Sequence, residues 1–454
     1  MEQEPISGAS VRDPNAASPV GVRWLLFGLL VFCFLCSFFH VSDVDVGYHI
    51  RTGEHIMDGH GIPNRNTFSY TVPDEWWPSM QWPPATIYSW VYHHGGLVAL
   101  STFKTLLATF LMFLVWCAAR TVASSDDLRP FWIVTAAVLI LRVRFYERPD
   151  LFTSTFFALT VFLDQRFGSN RRWQWIFLPV LMGVWANCHA GYVYGFVLLG
   201  AWAAAEWLEF FFPALRRATQ PAAGLSTFRA LWTRPLSIAF SLGAALLAVQ
   251  LINPSGWRAL TVPFTQFLSK FWQSVIVEYY PPTWADSKLL FIWAAVIVIL
   301  QILTWRHVRA RYLLPTIALG YFAFSSQRSL SAFVIVSVLH VAHMLSHLPR
   351  ITFPSRLTKL PRMLLPISWV ALVAFVIVPD RTYHFGIGLY HPYYPTEIFG
   401  FMEREVPSQN VFNDMRFGGP MLWKLYPRFK PFVDGRGDAY SEEFWKTEYL
   451  PVVQ

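Results

Sequence analysis

The stretch Asp43-Val44-Asp45-Val46-Gly47-Tyr48-His49 carries two carboxylates two residues apart, which project from the same side of an extended chain. Such a pair can act as a general base or hold a divalent cation. A helix beginning near Asp45 would place His49 one turn later on the same face. The structural alternative is that one of the aspartates only caps that helix. A second cluster, Arg142-Val143-Arg144-Phe145-Tyr146-Glu147-Arg148-Pro149-Asp150, gathers three guanidinium groups, each a planar fork of donors suited to phosphate. Pro149 turns the chain into the next apolar run, and Asp150 is placed to pair with Arg148. An internal ion-pair cluster would use the same residues. In Trp185-Ala186-Asn187-Cys188-His189-Ala190-Gly191, polar Asn187 and His189 stand where two apolar runs meet. Ionisable groups in that setting are functional candidates, with an interhelical hydrogen bond as the alternative. Weaker signals are Asn253-Pro254-Ser255-Gly256-Trp257, Glu278-Tyr279-Tyr280-Pro281-Pro282 and Ser326-Gln327-Arg328, since turn residues and interface aromatics account for most of them.

The elements that must position these residues are membrane helices. The 454 residues are 54% hydrophobic and 14% charged, against about 25% charged in soluble domains. Apolar runs recur at 21–41, 97–120, 130–144, 150–166, 173–189, 191–212, 235–252, 287–304, 311–325, 329–347 and 363–379. A bilayer core takes about 20 residues of helix. The fold class is an all-α polytopic membrane protein of about 11 transmembrane helices, with a long first outer loop and a small C-terminal α/β segment. Lys and Arg gather in alternate short loops, for example Arg120 and Arg129, Arg171 and Arg172, and Arg306 and Arg309. The positive-inside rule then puts the N-terminus in the cytoplasm. Every polar cluster described above falls on the opposite face. The net charge of +8 is explained by this loop bias, and nucleic acid is not a partner. No zinc spacing, phosphate loop or dinucleotide motif is present.

Residues 1–20 read as a disordered cytoplasmic tail, 21–379 as the transmembrane domain with its outer loop at 42–96, and 380–454 as an extracytoplasmic α/β segment. That last segment has few apolar positions for a core of its own and is expected to be incomplete. Within the outer loop a short helix is expected near Val46–Met57, stopped by Gly59, Gly61 and Pro63. An amphipathic piece near Pro84–His94 should end at Gly95-Gly96. In the last segment, Asn410–Asn413 and Lys430–Val433 read as strands, and Pro420–Leu425 and Glu442–Leu450 as helices.

These motifs resemble the bacterial multi-span glycosyltransferases of the GT-C superfamily. The resemblance rests on Asp43 to Glu54, Ile62-Pro63, Thr67 to Thr71, Arg148-Pro149-Asp150, Trp185 to Gly191, Asn253 to Gly256 and Val433 to Tyr440. It is similar to protein mannosyltransferases and lipid A aminoarabinose transferases at the superfamily level. Here the first-loop motif is Asp-x-Asp-x-x-x-His rather than an Asp-Glu pair. The resemblance implies a polyprenyl-phosphate-linked sugar donor, a glycan, lipid or protein acceptor, and a multi-pass enzyme of the inner or plasma membrane working at its extracytoplasmic face. Asp45 or Asp43 would be the base, assisted by His49. Arg148, with Arg142 or Arg328, would neutralise the departing phosphate. Asp150, Asn187, His189 and Glu278 complete the donor-binding set. The cofactor expectation stays open between none and a Mg²⁺ or Mn²⁺ ion held by Asp43 and Asp45. Rival readings are a transporter or flippase of lipid-linked sugars, marked by inverted repeats and midplane polar groups, and a non-catalytic assembly protein.

Overall fold

The computed structural model describes residues 19–123, 127–168, 173–212, 225–349 and 360–453. The expected tail, 1–20, lies outside them except for its last two residues, and Arg171 and Arg172 lie outside them as well.

Helices dominate the chain. Trp82–Val122 and Gln327–Ser346 are long and apolar enough to cross a membrane on their own. Shorter apolar helices are Gly21–Ser37, Trp175–Cys188, Leu236–Ile252, Lys288–Leu303 and Arg362–Ile377. Fewer full-length spans than the eleven apolar runs suggested are seen among the described residues. One reason is that the runs are broken locally. A wide π-turn at Trp173–Phe177 precedes Leu178–Cys188, another at Val373–Ile377 follows Leu360–Leu372, and Pro315 lies inside Ala310–Ser325. Outward faces remain strongly apolar: Val298, Ile299, Ile302 and Leu303 are exposed on one helix, and Val370 and Phe375 on another. A water-soluble surface rarely carries such patches, and they suit contact with lipid. At the centre, every residue from Leu330 to Met344 is buried, so this helix is packed on all sides. It packs with Leu29, Phe32, Leu111, Val134, Val138 and Trp185 in one core.

The outer loop follows its turn chemistry. Val46–His55 is helical, and the wider turn Ile56–His60 ends it where Gly59 and Gly61 take φ of 86° and 79°. The amphipathic piece and the next apolar run form one long element, Trp82–Val122, kinked at Gly95-Gly96.

In the last segment, strands Gln409–Val411 and Phe429–Pro431 pair in parallel, with helix Met415–Lys424 between them. The Asp414 carboxylate caps this helix by accepting from Arg416 N at 2.9 Å. The segment finds its core in the first outer loop. Tyr48, Phe68 and Trp77 of the loop bury together with Leu422, Val433, Tyr440 and Trp445. The backbones touch where Gly47 meets Gly419: a methyl group on Gly47 would overlap the Gly419 carbonyl, and one on Gly419 would overlap the Val44 carbonyl. Segments 42–96 and 380–453 therefore pack as one unit around the acidic motif.

Candidate active site

Asp43 lies just past the first helix, in chain held by bridges from Phe39 to Phe385 and from Val41 to Leu389. The Tyr394 hydroxyl donates to its carbonyl. Its carboxylate is almost fully buried, accepts from Asp45 N at 3.2 Å and lies 2.8 Å from Arg148 Nε. Asp45 occupies the cap position of Val46–His55, yet its side chain makes no capping hydrogen bond. It turns instead to Arg148 Nη2 at 3.5 Å, with 22% of the side chain exposed. Asp45 is thus the more accessible carboxylate of the pair.

Arg148 uses its third nitrogen, Nη1, on Glu278. Glu278 also meets Arg144 at 3.3 Å and Arg328 at 3.6 Å. Arg328 donates to the Tyr279 hydroxyl at 2.6 Å, and its guanidinium lies over that ring at 4.9 Å. Asp150 pairs with Arg144 at 2.6 Å rather than with Arg148 as the sequence suggested, because Arg148 is turned to Asp43 and Glu278. Four carboxylates and three guanidinium groups thus form one connected cluster, joining the outer loop, the turn before Asp150–Phe167, the segment after Lys270–Val275 and the turn before Leu330–Ser346.

The electrostatics separate the acids. Burial, reinforced by neighbouring Asp43, pushes the Asp45 carboxyl up to about 8. Burial also raises Asp43, and Arg148 offsets part of that. For Glu278 burial acts upward too, but Arg148, Arg144 and Arg328 outweigh it and hold the group well below the usual carboxylate range.

The remaining candidates divide. His189 breaks from helix Leu178–Cys188, and its Nδ1 accepts from Gly191 N at 3.0 Å and meets the Thr153 hydroxyl at 2.9 Å. That leaves the proton of the neutral ring on Nε2. Thr153 is itself held by the Trp185 indole at 3.0 Å. Asn187 accepts from Trp82 Nε1 at 3.0 Å and donates to the Gly183 carbonyl at 2.8 Å, so its amide ties helices together. His49 is buried against the Tyr48 and Tyr88 rings, and burial holds it well below its ordinary pKa, hence neutral. Arg142 stands apart from the cluster. It donates to the Cys36 carbonyl at 3.1 Å, pairs with Asp380 and covers the Tyr383 ring at 4.5 Å, fastening the first helix to the last segment.

Three pairings escaped the sequence reading. Arg144 is the partner of Asp150. A fully buried ion pair, Lys104 to Glu147 at 2.9 Å, anchors the arginine turn, and Lys104 also donates to the Phe39 carbonyl at 2.9 Å. The signal was a lysine inside the run 97–120. Last, Arg436 is buried between Asp434 at 2.6 Å and Asn66 at 2.8 Å, with the Tyr440 hydroxyl donating to Asp434 at 2.9 Å. This network holds Gly435, whose backbone abuts the Asp45 carboxylate.

No family model and no curated protein matches this sequence. Solved structures do. The archaeal oligosaccharyltransferase AglB from Archaeoglobus fulgidus, in complex with an inhibitory peptide and a dolichol-phosphate, superposes with a TM-score of 0.58 at 12% identity, over 92% of this chain and 65% of that one. This chain shares its fold. The apo form of the Archaeoglobus fulgidus oligosaccharyltransferase gives a TM-score of 0.55 at 13% identity, over 91% and 65% of the two chains. The chain thus spans about 65% of the length of these neighbours. The likeness extends to the fold alone.

Proposed function

We propose that this chain is a membrane glycosyltransferase that moves a sugar from a polyprenyl-phosphate carrier to an acceptor hydroxyl at the extracytoplasmic face, with inversion. The observation that carries the reading is the Arg148 guanidinium set between Asp43, Asp45 and Glu278, with Arg144 and Arg328 on the same glutamate. Acids and phosphate-binding cations meet there in one outer cluster. The shared fold and the dolichol-phosphate bound to the archaeal neighbour support a lipid-phosphate donor.

In this mechanism Asp45 accepts the acceptor hydroxyl proton as that oxygen attacks the anomeric carbon. The bond from the anomeric carbon to the phosphate oxygen breaks, and its electron pair leaves with the lipid phosphate. A single displacement inverts the centre. Arg148 and Arg328 stabilise the charge that develops on the phosphate, a role guanidinium groups fill in sites that exclude water. Asp43 and Glu278 hold Arg148 in place. Here the Asp45 carboxylate acts as the base; a Mg²⁺ or Mn²⁺ ion held by Asp43 and Asp45 is the other arrangement these two carboxylates could serve, and it would balance the charge on the leaving phosphate.

The test is incubation of the purified full chain with radiolabelled polyprenyl-phosphate hexoses and pentoses in detergent. Release of lipid phosphate, abolished in Asp45→Asn, is expected. A folded protein that binds these donors without ever cleaving them would sink the proposal and favour a carrier of lipid-linked sugar.

A further inference from the structure

A concavity of about 370 Å³ lies between the outer loop and the turn that follows Leu225–Ile252. Its walls are Asn64, Trp76, Trp77 and Ser79 on one side and Ser255, Trp257 and Arg258 on the other. The volume falls within the range of ligand pockets, about 300–1,000 Å³. Resting on the transferase reading above, we propose that this cavity binds the acceptor, and that the acceptor is a carbohydrate.

The lining chemistry selects a sugar. The exposed Trp257 indole offers a flat apolar face, while the amide, hydroxyls and guanidinium offer hydrogen bonds around it. A pyranose has the matching pattern, with C–H groups on its faces and hydroxyls at its edge. A peptide strand would call on main-chain N–H groups, and those of Trp77 and Ser79 on this rim are already engaged. Asn66 N donates to the Glu75 carbonyl, Trp77 N to the Asn64 carbonyl and Ser79 N to the Trp77 carbonyl, all at 2.9–3.0 Å. Nor are these tryptophans merely lipid anchors. Arg258 covers the Trp76 ring at 4.7 Å, and Trp77 is buried. Trp257 is 64% exposed at the mouth, a free face for stacking.

The cavity is also wired to the reacting groups. The Trp77 ring packs under the Arg436 guanidinium at 4.7 Å. Trp77 shares a buried cluster with Tyr48, on the helix that starts beside Asp45. On the other wall, Asn253 donates to the Ala186 carbonyl at 2.9 Å, fixing the turn to the helix that ends at His189. The first wall is thus built onto the helix that starts beside Asp45, and the second onto the helix that ends at His189.

The experiment is saturation-transfer NMR on the full chain in detergent, with methyl α- and β-hexopyranosides and an N-acetylated Ser-Ala-Ser peptide amide as probes, run alongside the lipid-phosphate release assay. Saturation transfer to a hexopyranoside should occur, and Trp257→Ser or Arg258→Ser should weaken that binding by about tenfold. Both residues are exposed, and an unchanged melting curve checks the fold. Transfer to the peptide alone, lost in Trp257→Ser, overturns the carbohydrate assignment. Release of lipid phosphate with no saturation of any hexopyranoside overturns the cavity's role and leaves the transferase reading intact. Trp257-dependent sugar binding with no cleavage of any donor overturns the transferase reading, and the acceptor role with it.

Discussion

Replacing Gly435 by alanine isolates the contribution of the last segment to the chemistry. The added methyl group would overlap Asp45 Oδ1 and lie 3.1 Å from its Cγ, with Tyr48 Cε1 at 3.5 Å on another side. The backbone at Gly435 cannot retreat easily, because flanking Asp434 and Arg436 are locked in a buried bidentate pair, with Arg436 Nε and Nη2 at 2.8 and 2.6 Å from Asp434. The carboxylate must therefore move, by roughly 1 Å to restore a normal contact. Asp45 stands 3.5 Å from Arg148 at the start, so that shift takes it out of ion-pair range. A misplacement of this size costs about 10²-fold in rate, or about 2.7 kcal/mol of barrier. Partial exposure lets the side chain swing outward, so the fold should survive. The assay is kcat for lipid-phosphate release, read beside thermal unfolding in detergent. Gly437→Ala is the control, since a methyl group there meets the Trp272 ring at an ordinary 3.4 Å. Full turnover in Gly435→Ala with unchanged unfolding would refute the claim that the last segment sets the position of Asp45.

Arg148→Lys should lose both donor affinity and turnover, kcat/KM falling by about 10²–10³-fold, because one ammonium cannot replace three nitrogens aimed at three carboxylates. Asp45→Asn should lose turnover with donor affinity kept, and added Mn²⁺ should not restore it; equilibrium donor binding and kcat separate the two variants. Because the reactive form of Asp45 is the carboxylate and its pKa is raised to about 8, kcat/KM should climb as pH rises and level off above that value; a flat profile across it would exclude Asp45 as the base. Lys104→Met removes one partner of a pair with no exposure and leaves Glu147 buried, a change that typically costs about 3–5 kcal/mol; a clear drop in melting temperature is expected, and none would show that the pair does not anchor the arginine turn.

Much of the local architecture was legible in the residues. The helix at Val46–His55, the stop at Gly59 and Gly61 and the kink at Gly95-Gly96 follow from backbone preferences that act over a few positions. The acids and arginines were visible as charges set beside apolar runs. Local spacing could not say which charge meets which. It suggested Asp150 with Arg148, and folding gave Asp150 to Arg144 and turned Arg148 toward Asp43 and toward Glu278, 130 positions away. It grouped Arg142 with the phosphate-binding set, whereas packing turned that side chain to Cys36 and Asp380. Nor could it show that Arg436 would reach Asn66 across 370 positions, or that the last segment would complete the outer loop. A side chain's helical neighbours lie three or four residues away and can be read from sequence. A buried charge takes whichever opposite charge the packed helices bring within reach, because leaving it unpaired in that interior costs several kcal/mol, and only the three-dimensional packing decides which one that is.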